Sequence, residues 1–194
     1  MKNRHRVFIA INLSNDIKKS LVKSQKQIQE MFSFDDEEVG SKAIKWTKED
    51  NLHITLEFLG YITDQEVADI CEIVRDVASN HEEFMIDLTK ISYGPKDQAD
   101  PRMIWVTGEN SEELVSLKND LSEEFGVPKI KNYNPHITLA RINKWLWHAM
   151  ELEERPTIDE EINVSFSVNS IDVVESILKK SGPQYTVLES APLN

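Results

Sequence analysis

Apolar and polar positions along the chain change period several times, and each change predicts an element. Val7 to Leu13 is a short β-prone run that predicts a strand, and Ser14 stands where a helix N-cap belongs. Ile17, Leu21, Ile28 and Met31 then keep an approximate helical stripe through "DIKKSLVKSQKQIQEMF". After a polar, acidic loop come the short segment "AIKW" and a strand, "NLHITLEFLG", ended by Gly60. Thr63 is placed to cap a second helix whose apolar face is Val67, Ile70, Val74 and Val77, with Cys71 at its border as inert packing. Strands follow at "FMIDLTKISYG" and "RMIWVTG". Next comes a third helix, capped by Ser111 and lined by Leu114, Leu117, Leu121 and Phe125, which "GVP" breaks. Another strand, a short helix around "KWLWHAM" and three late strands, "INVSFSV", "SIDVVES" and "QYTVLES", complete the chain.

The two strands at 51–58 and 134–141 share one pattern. Both contain Asn-x-His-Ile-Thr-Leu, as "NLHITLEF" and "NPHITLAR", one in each half of the chain. A duplicated unit explains this better than coincidence, because both copies also lie in β-prone runs. Strand, helix, motif strand and helix recur in both halves. The expected fold is therefore α+β: one domain over residues 1–194 with two related lobes, each an antiparallel sheet with helices, and no linker to separate them.

Residues two apart on a strand face the same way. His53 and Thr55 project together, with Glu57 further along, while Ile54, Leu56 and Phe58 turn toward a helix layer. In the second copy His136 and Thr138 project together, backed by Ile137 and Leu139. Pseudo-two-fold symmetry would set the two His-Thr pairs across one groove.

A single strand histidine is ordinarily a structural residue; the repetition, with a same-face threonine each time, argues for chemistry. Zinc is one alternative, with Glu57 as a third ligand, but neither HExxH nor a cysteine cluster is present. An imidazole pair otherwise suits acid–base work near neutral pH, one ring taking a proton from a nucleophile and the other giving one to a leaving group. Threonine hydroxyls can donate to phosphate oxygens as charge grows there. Together these groups suit metal-free transfer at a phosphodiester.

Charge limits the substrate. The 194 residues carry a formal charge of −12, which argues against gripping a long nucleic acid. Lysines nevertheless cluster around the motifs: Lys42, Lys45 and Lys48 before the first, Lys129 and Lys131 before the second, with Arg141 and Lys144 after it. Either these are scattered on a solvated face, or they form a small cationic pocket on an acidic body. The lone cysteine lends no support to an oxidising compartment, and no apolar run is long enough for a membrane span or signal peptide. A cytoplasmic location is expected.

The paired His-x-Thr strands resemble the two-histidine phosphoesterase superfamily. Within it, the chain is most similar to the RNA 2′,3′-cyclic phosphodiesterases, also called 2′-5′ RNA ligases. "RVFIAINL", "KWTKEDNLHITLEFLG", "PRMIWV", "YNPHITLAR" and "ESILKKSGPQYTVLES" carry the resemblance in order along nearly the whole chain. It implies a bilobal two-histidine phosphoesterase fold, two pseudo-symmetric lobes around a central cleft, and no metal or other cofactor. The implied reaction hydrolyses a 2′,3′-cyclic phosphate to a 2′-phosphate, with 2′-5′ joining in some members. His53 then corresponds to the proton donor, His136 to the proton acceptor, and Thr55 and Thr138 to phosphate-holding hydroxyls. Arg141 and Phe58 occupy places associated with the nucleotide, although strict alternation puts both on the face opposite the histidines. Tyr133 and Trp46 could stack on a base. The implied partners are RNA ends or nucleotides bearing 2′,3′-cyclic phosphate, with no membrane and no obligate protein partner, the chain acting as a monomer. A related enzyme of small cyclic nucleotides or 2′-5′ oligoadenylates, or a non-catalytic binder of RNA ends, is the alternative. The acidic segments Asp35–Glu38 and Glu151–Glu161 have no counterpart in the motifs and leave substrate length open.

Overall fold

A computed structural model describes residues 4–32, 42–95, 100–180 and 182–194. The acidic loop at Asp35–Glu38 lies outside them. In chain order the elements are β1 (Arg4–Asn12), α1 (Asn15–Glu30), β2 (Ile44–Trp46), β3 (His53–Thr63), α2 (Asp64–Ala78), β4 (Phe84–Gly94), β5 (Met103–Gly108) and α3 (Glu112–Glu124). Then come β6 (His136–Ile142), α4 (Lys144–Ala149), β7 (Asp159–Val168), β8 (Ser170–Lys179) and β9 (Gly182–Pro192).

The caps expected from the sequence are present. Ser14 accepts from the Ile17 N–H, Ser111 from Leu114, and Thr63 and Glu66 form a reciprocal capping box at the start of α2. These side chains satisfy N–H groups that a helix start leaves without partners.

All described strands belong to one antiparallel sheet, in the order β7-β4-β5-β6-β3-β1-β8-β9, with β2 pairing on β6. The motif strands β3 and β6 are neighbours at its centre, paired only at Ile54 and Ile137. Each half of the sheet fans out from that seam. The halves of the chain and of the sheet do not coincide: β4, from the first repeat, pairs with β5, while β8, from the second, pairs with β1. The first repeat thus lends β4 to the other half of the sheet, and the second lends β8 with β9 beyond it.

Val7, Ile9 and Ile11 of β1 join Leu21, Ile28, Val74, Leu117 and Leu121 of the helices in the main core. Phe8 and Ala10 point the other way, into a small cluster with Val174 and Tyr185. One sheet face is thus buried under helices, and the other carries Phe8 and Ala10 beside the His53 and Thr55 side chains.

Candidate active site

The registers of the motif strands decide which side chains reach that open face. In the β1–β3 ladder Asn12 faces His53 and Ala10 faces Thr55, but Ile9 then faces Glu57, so Leu56 has no cross-strand partner. It is the extra residue of a β-bulge, and a bulge reverses the alternation beyond it. Ile9 is fully buried in the helix-side core, so Glu57 turns inward, and Phe58, opposite Phe8, turns out. The β5–β6 ladder repeats the device: Trp105 faces Thr138, Ile104 faces Ala140, and Leu139 is the extra residue. Arg141, opposite Met103, is returned to the face of Thr138.

Strict alternation therefore fails at four positions, one of them Ala140, which it would set beside His136 and Thr138 but which is fully buried opposite Ile104. Phe58 is not core packing but 67% exposed, with its ring 6.1 Å from Phe8. Arg141 lies on the histidine face, where its charge acts on His53. Glu57, expected beside the histidines as a possible metal ligand, is bound on the helix side to the buried Lys118.

Buried polar groups hold both bulges. Lys118 also donates to Ser122 at 2.7 Å. The Tyr133 hydroxyl donates to the Thr55 carbonyl. In the second copy the Leu139 carbonyl accepts from the Thr47 N–H at 2.8 Å and from Gln25 Nε2 at 2.9 Å. Tyr133 is thereby packed against the main core, beside the charge of Glu57, rather than presented to a base. Trp46 packs against the same core.

The histidines sit in matching environments. His53 Nδ1 lies 2.7 Å from the Asn51 carbonyl oxygen, which can only accept, so the proton is on Nδ1. Nε2 is left to accept from the Thr55 hydroxyl at 2.9 Å. Asn51 in turn donates its side-chain amide to the Pro183 carbonyl at 2.9 Å, and the Asn134 backbone likewise bonds the His136 imidazole. The asparagine of each motif thus orients the ring two residues on.

Aromatic rings wall both imidazoles: Phe8 and Tyr185 at 5.0 and 5.3 Å from His53, and Trp105 at 4.5 Å from His136. Burial lowers the pKa of His53, and the nearby positive charges of Lys18, His136 and Arg141 push the same way against the Asn51 hydrogen bond. Burial also lowers the pKa of His136. Thr138 Oγ1 lies 3.8 Å from Met103 Sδ, a weak contact that leaves its hydroxyl open to a better acceptor.

Lys129 is paired with Glu123, and Lys144 with Asp100. Arg141 and its cross-strand neighbour Lys45 have no carboxylate partner among the described residues. Lys18, Phe8, Tyr185 and Trp105 complete the surroundings without having been singled out from the sequence. Phe8, Trp105 and Tyr185 lie inside stretches that carry the family resemblance, whereas Lys18 gave no local signal.

Comparisons with known proteins agree with this fold. The family model described as LigT-like phosphoesterase matches twice, over residues 20–105 and 106–185. An RNA 2′,3′-cyclic phosphodiesterase of Aquifex aeolicus is 30% identical over 86% of this chain and 91% of its own. One from Methanocaldococcus jannaschii is 27% identical over 95% and 98%. A crystal structure of a Thermus thermophilus protein superposes with a TM-score of 0.76, at 26% identity and with 97% of each chain covered. Escherichia coli LigT complexed with 3′-AMP shares the fold, with a TM-score of 0.74 at 21% identity over 99% of both chains.

Proposed function

The chain belongs to the LigT-like phosphoesterase family, and on that premise we propose that it hydrolyses 2′,3′-cyclic phosphate ends of RNA or nucleotides to 2′-phosphates. One observation carries the reading: two His-x-Thr strands, neighbours at the centre of the sheet, each with its imidazole tethered through the asparagine backbone two residues earlier.

In the proposed reaction His136 takes a proton from water as the water oxygen bonds to phosphorus. The bond from phosphorus to O3′ breaks, and protonated His53 supplies the proton that O3′ needs. A 2′-phosphomonoester and a free 3′-hydroxyl result, and the second proton exchange with solvent resets both rings. Thr55 and Thr138 donate to the non-bridging oxygens while Arg141 and Lys45 offset their charge. Phe58, exposed beside Phe8, offers its ring to the terminal base. If a 5′-hydroxyl replaces water, the same two transfers form a 2′-5′ linkage.

Names carried by relatives support the substrate class, since several RNA 2′,3′-cyclic phosphodiesterases align over most of this chain. Incubation with each 2′,3′-cyclic nucleotide in EDTA, with the product read by phosphorus NMR, tests the proposal. The 2′-phosphate is expected. Mainly 3′-phosphate would reverse the roles of the histidines, and no turnover would end the reading.

A further inference from the structure

Beyond Phe58 the open face of β1 and β3 continues, away from the histidines. A second bulge makes Leu59 the extra residue, with Gly60 at φ +80°, and it restores the register so that Arg6 faces Tyr61 and Arg4 faces Thr63. Along β1, residues 4, 6, 8, 10 and 12 alternate onto one face without interruption. Phe8 and Ala10 fix that face as the histidine side. The strip therefore runs His53, Thr55, Phe58 and Tyr61 on β3, beside Asn12, Ala10, Phe8, Arg6 and Arg4 on β1. Ile62, one residue past Tyr61, is buried in the main core, which confirms the outward direction of Tyr61.

Three features of this strip point to a ligand. Phe58 and Tyr61 are 67% and 64% exposed, an unfavourable arrangement for two rings on one sheet unless something covers them. Neither Arg4 nor Arg6 is paired with a carboxylate among the described residues, in a chain of net charge −12. Finally, rings and cations adjoin: Phe58 and Tyr61 on β3 lie beside Phe8, Arg6 and Arg4 on β1. Aromatic side chains on a sheet face stack unpaired bases, and interleaved cations hold the connecting phosphates. Positions two residues apart on β1 lie about 6.7 Å from each other, roughly twice the ~3.4 Å spacing of stacked nucleotides. That suits a splayed single strand with one base per ring.

We propose that this strip is a track for the RNA immediately 5′ of the reacting end. The penultimate base stacks on Tyr61, and Arg6 and Arg4 bind the next phosphates. The inference rests on the cyclic phosphodiesterase reading and deepens it. The preferred substrate becomes an oligonucleotide of at least two residues rather than a free cyclic nucleotide.

The test compares kcat/KM for a trinucleotide ending in 2′,3′-cyclic phosphate with that for the matching mononucleotide. In the wild-type protein the trinucleotide is favoured. In Tyr61→Ala the ratio should fall roughly tenfold, the scale of one base–aromatic stack. Arg4→Gln/Arg6→Gln should reduce the salt slope of trinucleotide binding by about 1.4, at ~0.7 per phosphate contact on a single strand. Binding is measured separately by fluorescence anisotropy with a trinucleotide that already carries a 2′-phosphate, so an inactive protein still reports on the track. Tyr61-dependent binding without turnover would keep the track and refute the catalytic reading. A ratio and salt slope that match wild type in the variants would overturn the track itself.

Discussion

Leu56 and Leu139 occupy the same place in two bulges, each the residue after a His-x-Thr triplet that its ladder partner skips. The repeat is thus a repeat of backbone geometry as well as of side chains. The two bulges are stabilised differently. The residue after Leu56 is Glu57, bound to Lys118, whereas the residue after Leu139 is the fully buried Ala140.

Removing Lys118 should expose that asymmetry. Both members of the pair are nearly buried, with side chains 9% and 12% accessible, so deleting one strands a charge. Lys118→Met is expected to cost about 3–5 kcal/mol, and a double Glu57→Leu/Lys118→Met variant to recover most of it. Urea unfolding measures both. A single variant as stable as wild type would mean that water already screens the pair.

Catalytic substitutions should separate chemistry from folding. His53→Ala and His136→Ala are each expected to lower kcat by about two to four orders of magnitude with urea midpoints little changed. Thr55→Val and Thr138→Val keep the β-branched shape a strand accepts but remove a donor worth on the order of 3 kcal/mol to the transition state. Activity that returns only with added zinc would point to different chemistry.

Gly94 offers a remote route to His136. A Cβ there would lie 2.2 Å from Cε3 of Trp105, and the Trp105 ring is the wall 4.5 Å from His136. Gly94→Ala must displace that ring, at a cost of roughly 1–3 kcal/mol in stability. The expected signature is a fall in kcat together with shifted tryptophan fluorescence. Normal kcat with destabilisation would show that the ring can move without disturbing the imidazole.

Much of this was legible in the sequence. The helical stripes, three N-caps and both motif strands follow from short-range pattern, because capping and periodicity are local physics. The bulges do not. "HITLEF" alternates without a break, and only the partner strand reveals that Leu56 is skipped, which is why Glu57 and Phe58 were assigned to the wrong faces. Tyr133 illustrates the same limit: whether its ring stacks on a base or seals a bulge depends on Thr55, distant in sequence. The exchange of β4 and β8 between sheet halves is likewise long-range pairing that no local pattern encodes. In the acidic stretch Glu151–Glu161, Asp159 pairs with Lys90 at 2.5 Å, a surface ion pair away from the motif strands.

The pH dependence follows from the direction in which burial moves both histidines. An unperturbed imidazole titrates near ~6.5, and both rings are depressed below that by desolvation, His53 further by neighbouring cations. The proposed reaction needs one ring charged and the other neutral, so the pair titrates as a unit and the rate profile is a bell. In the free enzyme the proton that His53 must donate is lost below the ordinary imidazole pKa. The alkaline limb of kcat/KM is therefore expected below about 6.5. A bound phosphodiester brings negative charge between the rings and favours the protonated form. The alkaline limb of kcat should then lie at higher pH than that of kcat/KM. Stability carries a related sign: the unfolded chain takes up protons near ~6.5 that the two buried rings resist, so their contribution destabilises the fold on acidification through that range, whereas His5, raised by Glu175 and Asp64, contributes the opposite sign. Rate profiles from about pH 5 to 9, with urea midpoints across the same range in a His5→Gln background, check all three statements. Coincident alkaline limbs for kcat and kcat/KM would show that substrate charge does not reach the imidazoles, and a monotonic kcat/KM would refute their division of labour.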